Sequence, residues 1–100
     1  MTQTMTRTFE LGQIVATPDA IERLSASGQT TFEMLVRHAN CDWSGCQPED
    51  AKANEQALKY GDRIFSVYRT GLNEVIWVIT EGADENGSRE STCVLCPENY

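Results

Sequence analysis

"RIFSVYRTGLNEVIWVIT", residues 63–80, decides the fold. From Arg63 onward the pattern has a period of two, which sends successive side chains to opposite sides of a strand. The residues "GLNE" at 71–74 supply a turn, and "VIWVIT" at 75–80 is apolar on both faces, as in a central strand. Trp77 is expected to anchor the core. After an acidic loop, "EGADENGSRES" at 81–91, the stretch "TCVLC" at 92–96 reads as a third strand stopped by Pro97. These three strands form an antiparallel meander.

Upstream the period changes to that of helices. Thr17, Pro18 and Asp19 combine a hydroxyl cap, a proline at the first helical position and an acid facing the helix dipole. The first helix should bury Ala20, Ile21 and Leu24 and end at Gly28. Thr30 stands three residues before Glu33, as in a capping box, and Phe32, Leu35, Val36 and Ala39 follow at helical spacing. "PEDAKANEQALKY", residues 48–60, reads as a third, largely exposed helix closing before Gly61. The apolar run within "TFELGQIVAT", residues 8–17, suits an extra edge strand. The expectation is an α+β domain over residues 9–100, with N-terminal helices packed on a C-terminal three-stranded antiparallel meander, preceded by a loose leader at residues 1–8.

Length and charge narrow the function. One hundred residues with 40% hydrophobic content make one domain with a modest core. Fifteen acids against eight basic residues give a formal charge of -7, which repels nucleic-acid phosphates and anionic lipid headgroups. Direct nucleic-acid binding and membrane association are therefore not expected. No apolar run approaches the roughly 20 residues of a membrane span, and "MTQTMTRTFELG" lacks the hydrophobic segment of a secretory signal. A cytoplasmic location follows, and there four cysteines are thiols or metal ligands rather than disulfides.

The spacing of Cys41 and Cys46 around Trp43, and of Cys93 and Cys96 in "CVLC", raises a zinc site as an alternative. Val94 and Leu95 argue against it: they favour a strand, in which Cys93 and Cys96 point to opposite faces. Thioredoxin-like chemistry would place the first thiol at a helix N-terminus, whereas this pair sits in a strand. His38, the lone histidine, falls in the last turn of the second helix, where imidazoles commonly interact with the helix end. There is no glycine-rich phosphate loop and no acid pair with metal spacing. No catalytic residues, and no resident cofactor, are assigned.

Six segments, "LGQIVATPDAIERL", "RHANCDW", "PEDAKANEQAL", "GDRIFSVYRT", "VIWVITE" and "PENY", together resemble a family of small bacterial proteins carried on plasmids and integrative elements. The resemblance spans about residues 9–100 and implies a mobile-element origin without a defined biochemical role. The family pattern has a glycine at Cys41, a Gly-Asp pair at Ser44 and Gly45, a shorter segment after Glu81, and aliphatic residues at Cys93 and Cys96. The four cysteines are then peculiar to this chain.

What remains is binding. An acidic domain from a mobile element suggests a non-catalytic module that meets a host protein, and its most concrete form is an inhibitor of restriction or CRISPR machinery that covers a basic nucleic-acid groove. Carboxylates can occupy phosphate sites made of arginine and lysine. The candidates are Glu81, Asp84, Glu85 and Glu90 in the long loop, with Glu49, Asp50 and Glu55 on the third helix. Trp43, in a loop, is a candidate anchor for a partner, since tryptophan buries a large area with few rotors. The competing readings are that the acids are solvated surface and that Trp43 folds back onto the core.

Overall fold

In the computed structural model, which describes residues 9–100, the decisive stretch forms a hairpin of β2 (Ile64–Arg69) and β3 (Val75–Thr80). In chain order, β1 (Gln13–Ala16), α1 (Pro18–Ala26), α2 (Thr31–Ala39) and α3 (Pro48–Tyr60) precede the hairpin, and β4 (Ser91–Leu95) and a 3-10 turn (Pro97–Asn99) follow it. The leader expected at residues 1–8 lies outside the described residues.

The α+β class stands and the extra N-terminal edge strand is present, so that the sheet is four-stranded and mixed where a three-stranded antiparallel meander was expected. β2, β3 and β4 are antiparallel neighbours, and β1 adds a fourth strand parallel to β4, giving the order β1-β4-β3-β2 and a mixed sheet. The reason lies in β4, whose free edge takes up the N-terminal strand: Gln13 N–H donates to Glu90 O and Thr17 N–H to Val94 O, each at 2.9 Å. The pairing direction depends on these long-range contacts and not on the residues of β1 themselves.

The helix starts form as their sequences dictate. Thr17 accepts from Ala20 N–H at 3.2 Å, and Thr30 accepts from Glu33 N–H at 3.3 Å. α2 closes in a Schellman arrangement, with Cys41 N–H bonded to His38 O and Asp42 N–H to Arg37 O. That motif requires a left-handed residue, and Cys41 occupies it at φ 60°.

The core lies between the helices and one face of the sheet. Ala20, Leu24, Met34 and Leu35 pack on Tyr68, Ile76, Val78, Val94 and Cys96. Two expected members are corrected: Ile21 is 51% and Phe32 44% exposed, because α1 turns Ala20 and Leu24 inward and α2 turns Met34, Leu35 and His38 inward instead. Trp77 also departs from expectation. Strand alternation turns it to the face away from α1 and α2, where it is half-buried between Phe65 and Tyr100 at ring separations of 5.1 and 5.8 Å.

α3 protects the β2 edge. The Asn54 side chain, 2% exposed, accepts from Phe65 N–H at 2.9 Å and donates to Phe65 O at 2.6 Å, pairing as a strand would. Next along the edge, Gly45 lies so close to Val67 that a Cβ there would stand 2.3 Å from its carbonyl oxygen.

Candidate functional site

The acidic loop is an ordered turn. Ala83 and Arg89 form a bridge, and Asp84 N–H donates to Ser88 O. The Asp84 carboxylate accepts from Asn86 N–H and Ser88 N–H at 2.9 Å each, so this acid shapes the turn. Glu81, Asp84, Glu85 and Glu90 are all exposed. Glu81, Asp84 and Glu90 share a depression of about 450 Å³, while Glu85 lies in an adjoining one of about 440 Å³ against the end of α3.

Arg89 is the loop's one cation, and it is turned inward. Only 7% exposed, its guanidinium donates to the carbonyls of Asp62, Glu81 and Ala57 at 2.7, 3.0 and 3.1 Å and lies 5.8 Å from the Phe9 ring. The described ion pairs join Arg23 to Glu74 and Glu98 and Arg37 to Asp42, and include no carboxylate of this loop. Among the described residues the acids of the loop thus face solvent without an ion pair, although Lys59 lines the same depression as Glu85.

The remaining candidates lie elsewhere. Glu49 and Asp50 open α3, about 15 Å of helix from its closing turn beside the loop. Glu55 is exposed between them and that turn, so the α3 acids and the loop acids are separate features. Trp43, in the α2–α3 connection, is half-buried, with its indole N–H enclosed and without a hydrogen-bond partner among the described residues.

The cysteines are not brought together. Cys41 follows α2, the Cys46 thiol donates to Phe65 O at 3.5 Å, and Cys93 and Cys96 lie on opposite sides of the sheet, the latter in the helix-facing core. Among the described residues, no three His, Cys, Asp or Glu side chains are placed to hold a metal ion. Burial pushes the thiols of Cys46, Cys93 and Cys96 up, which disfavours the thiolates a metal would need.

His38 is the polar centre of the core, a role that its position near a helix end did not reveal. Nδ1 is 2.6 Å from Ser66 Oγ and Nε2 2.7 Å from Thr80 Oγ1; Thr80 meets Thr92 at 2.7 Å, and Thr92 donates to Leu11 O at 2.7 Å. The last bond orients the rest. Thr92 has one proton and gives it to Leu11, so Thr80 donates to Thr92, His38 Nε2–H donates to Thr80, and Nδ1 of the neutral ring accepts from Ser66. Burial, assisted by the Arg89 charge, lowers the His38 pKa to about 4. Ser66 beside an imidazole has the composition of a nucleophile–base pair, but both residues are 0% exposed and no substrate carbonyl can reach them. The relay instead ties α2, all three strands of the meander and the segment before β1 into one polar network. Its sequence signal is present only in retrospect: Ser66, Thr80 and Thr92 are the small hydroxyl residues at inward-facing strand positions.

No helix among the described residues is long and apolar enough to cross a membrane. Comparison with protein-family models, with curated proteins and with solved structures gave no match to this chain.

Proposed function

We propose that the protein is a non-catalytic binding module that presents its acidic loop to a basic surface of a partner protein, and that the partner belongs to a host defence system acting on mobile DNA. The observation that carries the reading is the burial of Arg89: its charge is directed onto backbone carbonyls, which leaves Glu81, Glu85 and Glu90 exposed on an ordered turn. A pre-shaped acidic turn suits a site built for phosphate, because guanidinium and ammonium groups accept carboxylates in the same geometry. The host-defence element rests on the resemblance of residues 9–100 to proteins borne on mobile elements.

The test is plasmid transformation of cells with an active restriction or CRISPR system, with and without the protein. Wild type is expected to relieve interference and the triple variant Glu81→Gln, Glu85→Gln, Glu90→Gln to lose that relief while melting at the wild-type temperature. Relief that persists in the folded triple variant removes the acidic loop from the mechanism. A wild-type protein that relieves none of the systems tested removes the defence reading.

A further inference from the structure

On the side of the sheet away from α1 and α2, three aromatic rings meet. Val67 is paired with Trp77 across the hairpin, so Phe65, two residues before Val67, lies on the same face as the indole. The Phe65 ring stands 5.1 Å from the indole at an interplanar angle of 78°, and the Tyr100 ring 5.8 Å from it at 72°. Planes set nearly at right angles are the arrangement of adjoining walls in an aromatic cage. The three rings line a depression of about 310 Å³, which Asp50, Ala53, Asn54 and Arg63 complete.

Opposite charges stand at the two ends of this row of rings. Arg63 is held at the Tyr100 end: its guanidinium donates to the Tyr100 hydroxyl at 2.8 Å, and its guanidinium carbon lies 5.7 Å from the ring centre. Asp50 belongs to the Phe65 end. It precedes Asn54 by one turn of α3, and the Asn54 side chain is bonded to both backbone groups of Phe65, so Asp50, Ala53 and Asn54 share the side of the helix turned to β2. Neither Asp50 nor Arg63 takes part in an ion pair among the described residues, with each other or with a third group.

This pattern selects a ligand by charge and by shape. A quaternary ammonium has no N–H to satisfy, so aromatic walls and one nearby carboxylate are enough to hold it. A bare cation of that kind is opposed by Arg63, and a bare anion by Asp50. A ligand carrying both charges meets a partner at each end. The depression is at the small end of the range for ligand sites, so the two charges must be close together on a short molecule.

We propose that this depression binds a small betaine, a zwitterion that joins a quaternary ammonium to a carboxylate, with the ammonium among the rings on the Asp50 side and the carboxylate on the Arg63 guanidinium. The site is independent of the acidic loop, which lies beyond the other end of α3.

The test is an NMR titration of the whole protein with glycine betaine up to about 10 mM, where a site of millimolar affinity is largely filled. Two parallel arms each remove one charge: tert-butylacetate puts a neutral group of the same shape in place of the trimethylammonium, and choline puts a hydroxymethyl group in place of the carboxylate. The expected result is saturable shifts at the Trp77 indole N–H and at the amides of Ala53, Asn54 and Phe65 with glycine betaine, and binding at least about tenfold weaker for both comparison ligands. The enclosed indole N–H of Trp43 is the internal control and should not move. Arg63→Gln should bring glycine betaine down to the level of choline, and Asp50→Asn should remove its advantage over tert-butylacetate. Arg63 is exposed, so Arg63→Gln keeps the fold and decides the matter if Asp50→Asn loosens the start of α3. No saturable shift with glycine betaine, equal binding of either comparison ligand by the wild type, or unchanged betaine binding in Arg63→Gln would each overturn the proposal.

Discussion

At His38 the physics turns on a proton that the folded ring does not take up. An unfolded histidine titrates near pH 6.5, whereas the folded ring does so at about 4 because burial and the Arg89 charge oppose its cationic form. The folded pKa is depressed, so the unfolded chain binds the extra proton first as pH falls. The stabilising contribution is complete above about pH 6.5 and is lost between there and about pH 4, at up to ~1.4 kcal/mol per pH unit. Thermal melts at pH 7.0, 6.0 and 5.0 are expected to show this slope in wild type and not in His38→Gln, which keeps a donor and an acceptor without titrating. Parallel slopes would show that another group governs acid sensitivity. Cys41 makes the complementary point about backbone: at φ 60° its Cβ is strained, and Cys41→Gly should stabilise the fold by about 0.5–1 kcal/mol in chemical unfolding. A loss of stability would mean that the thiol makes a contact worth more than the strain. The sequence showed neither role, since a helical period says which side of α2 faces inward but not that its histidine will meet hydroxyls arriving from three strands.

For whole elements the sequence was more legible, and its failures have a common cause. The capped starts of α1 and α2, the span of α3 and the β2–β3 hairpin followed from local chemistry: caps, proline, glycine and period. What did not follow was anything set by packing partners. β1 was legible as an extended edge segment, but its parallel place beside β4 is decided by residues far along the chain. α3 read as a nearly featureless surface helix because its apolar content is thin, yet its buried contact is polar: one asparagine replaces a missing strand by satisfying both backbone groups of Phe65. Asn54→Ala leaves that N–H without its partner and the carbonyl with only the weak Cys46 thiol donor, and is expected to cost about 2–3 kcal/mol in denaturant midpoint experiments. It should also raise the tendency to aggregate, because the edge becomes available to another chain. A loss below about 0.5 kcal/mol, as for an ordinary surface change, would mean that water replaces the clasp at little cost.

Across the described residues, four arginines are committed to structural contacts, while the acids of the loop make no ion pair. Arg23 is bonded to Glu74, Glu98 and the carbonyl of Val75, Arg37 to Asp42, Arg63 to the Tyr100 hydroxyl, and Arg89 to three carbonyls. The acid candidates read from the sequence are therefore distributed by architecture: Glu49 and Asp50 lie at the start of α3 and Glu81, Asp84, Glu85 and Glu90 beyond its end, a division that composition alone did not contain. Arg89 connects these scales. It binds the last turn of α3 through Ala57 O, the α3–β2 connection through Asp62 O and the end of β3 through Glu81 O, so it fixes the acidic turn relative to the helix. Its positive charge also suits the C-terminal end of α3, where the helix dipole is negative. Arg89→Lys keeps the charge but offers a compact ammonium on a flexible stem in place of a planar fork, and it cannot span three carbonyls set for a guanidinium. The expected loss is about 2–3 kcal/mol. Hydrogen exchange distinguishes the mechanism: amides at 57–61 and 81–89 should exchange faster than in wild type, while those of the β3–β4 ladder at Val78 and Val94 change only by the global loss. Uniform acceleration at all these sites would show that Arg89 stabilises the fold without positioning the loop, and the acidic turn would then owe its shape to Asp84 and the Ala83–Arg89 bridge alone.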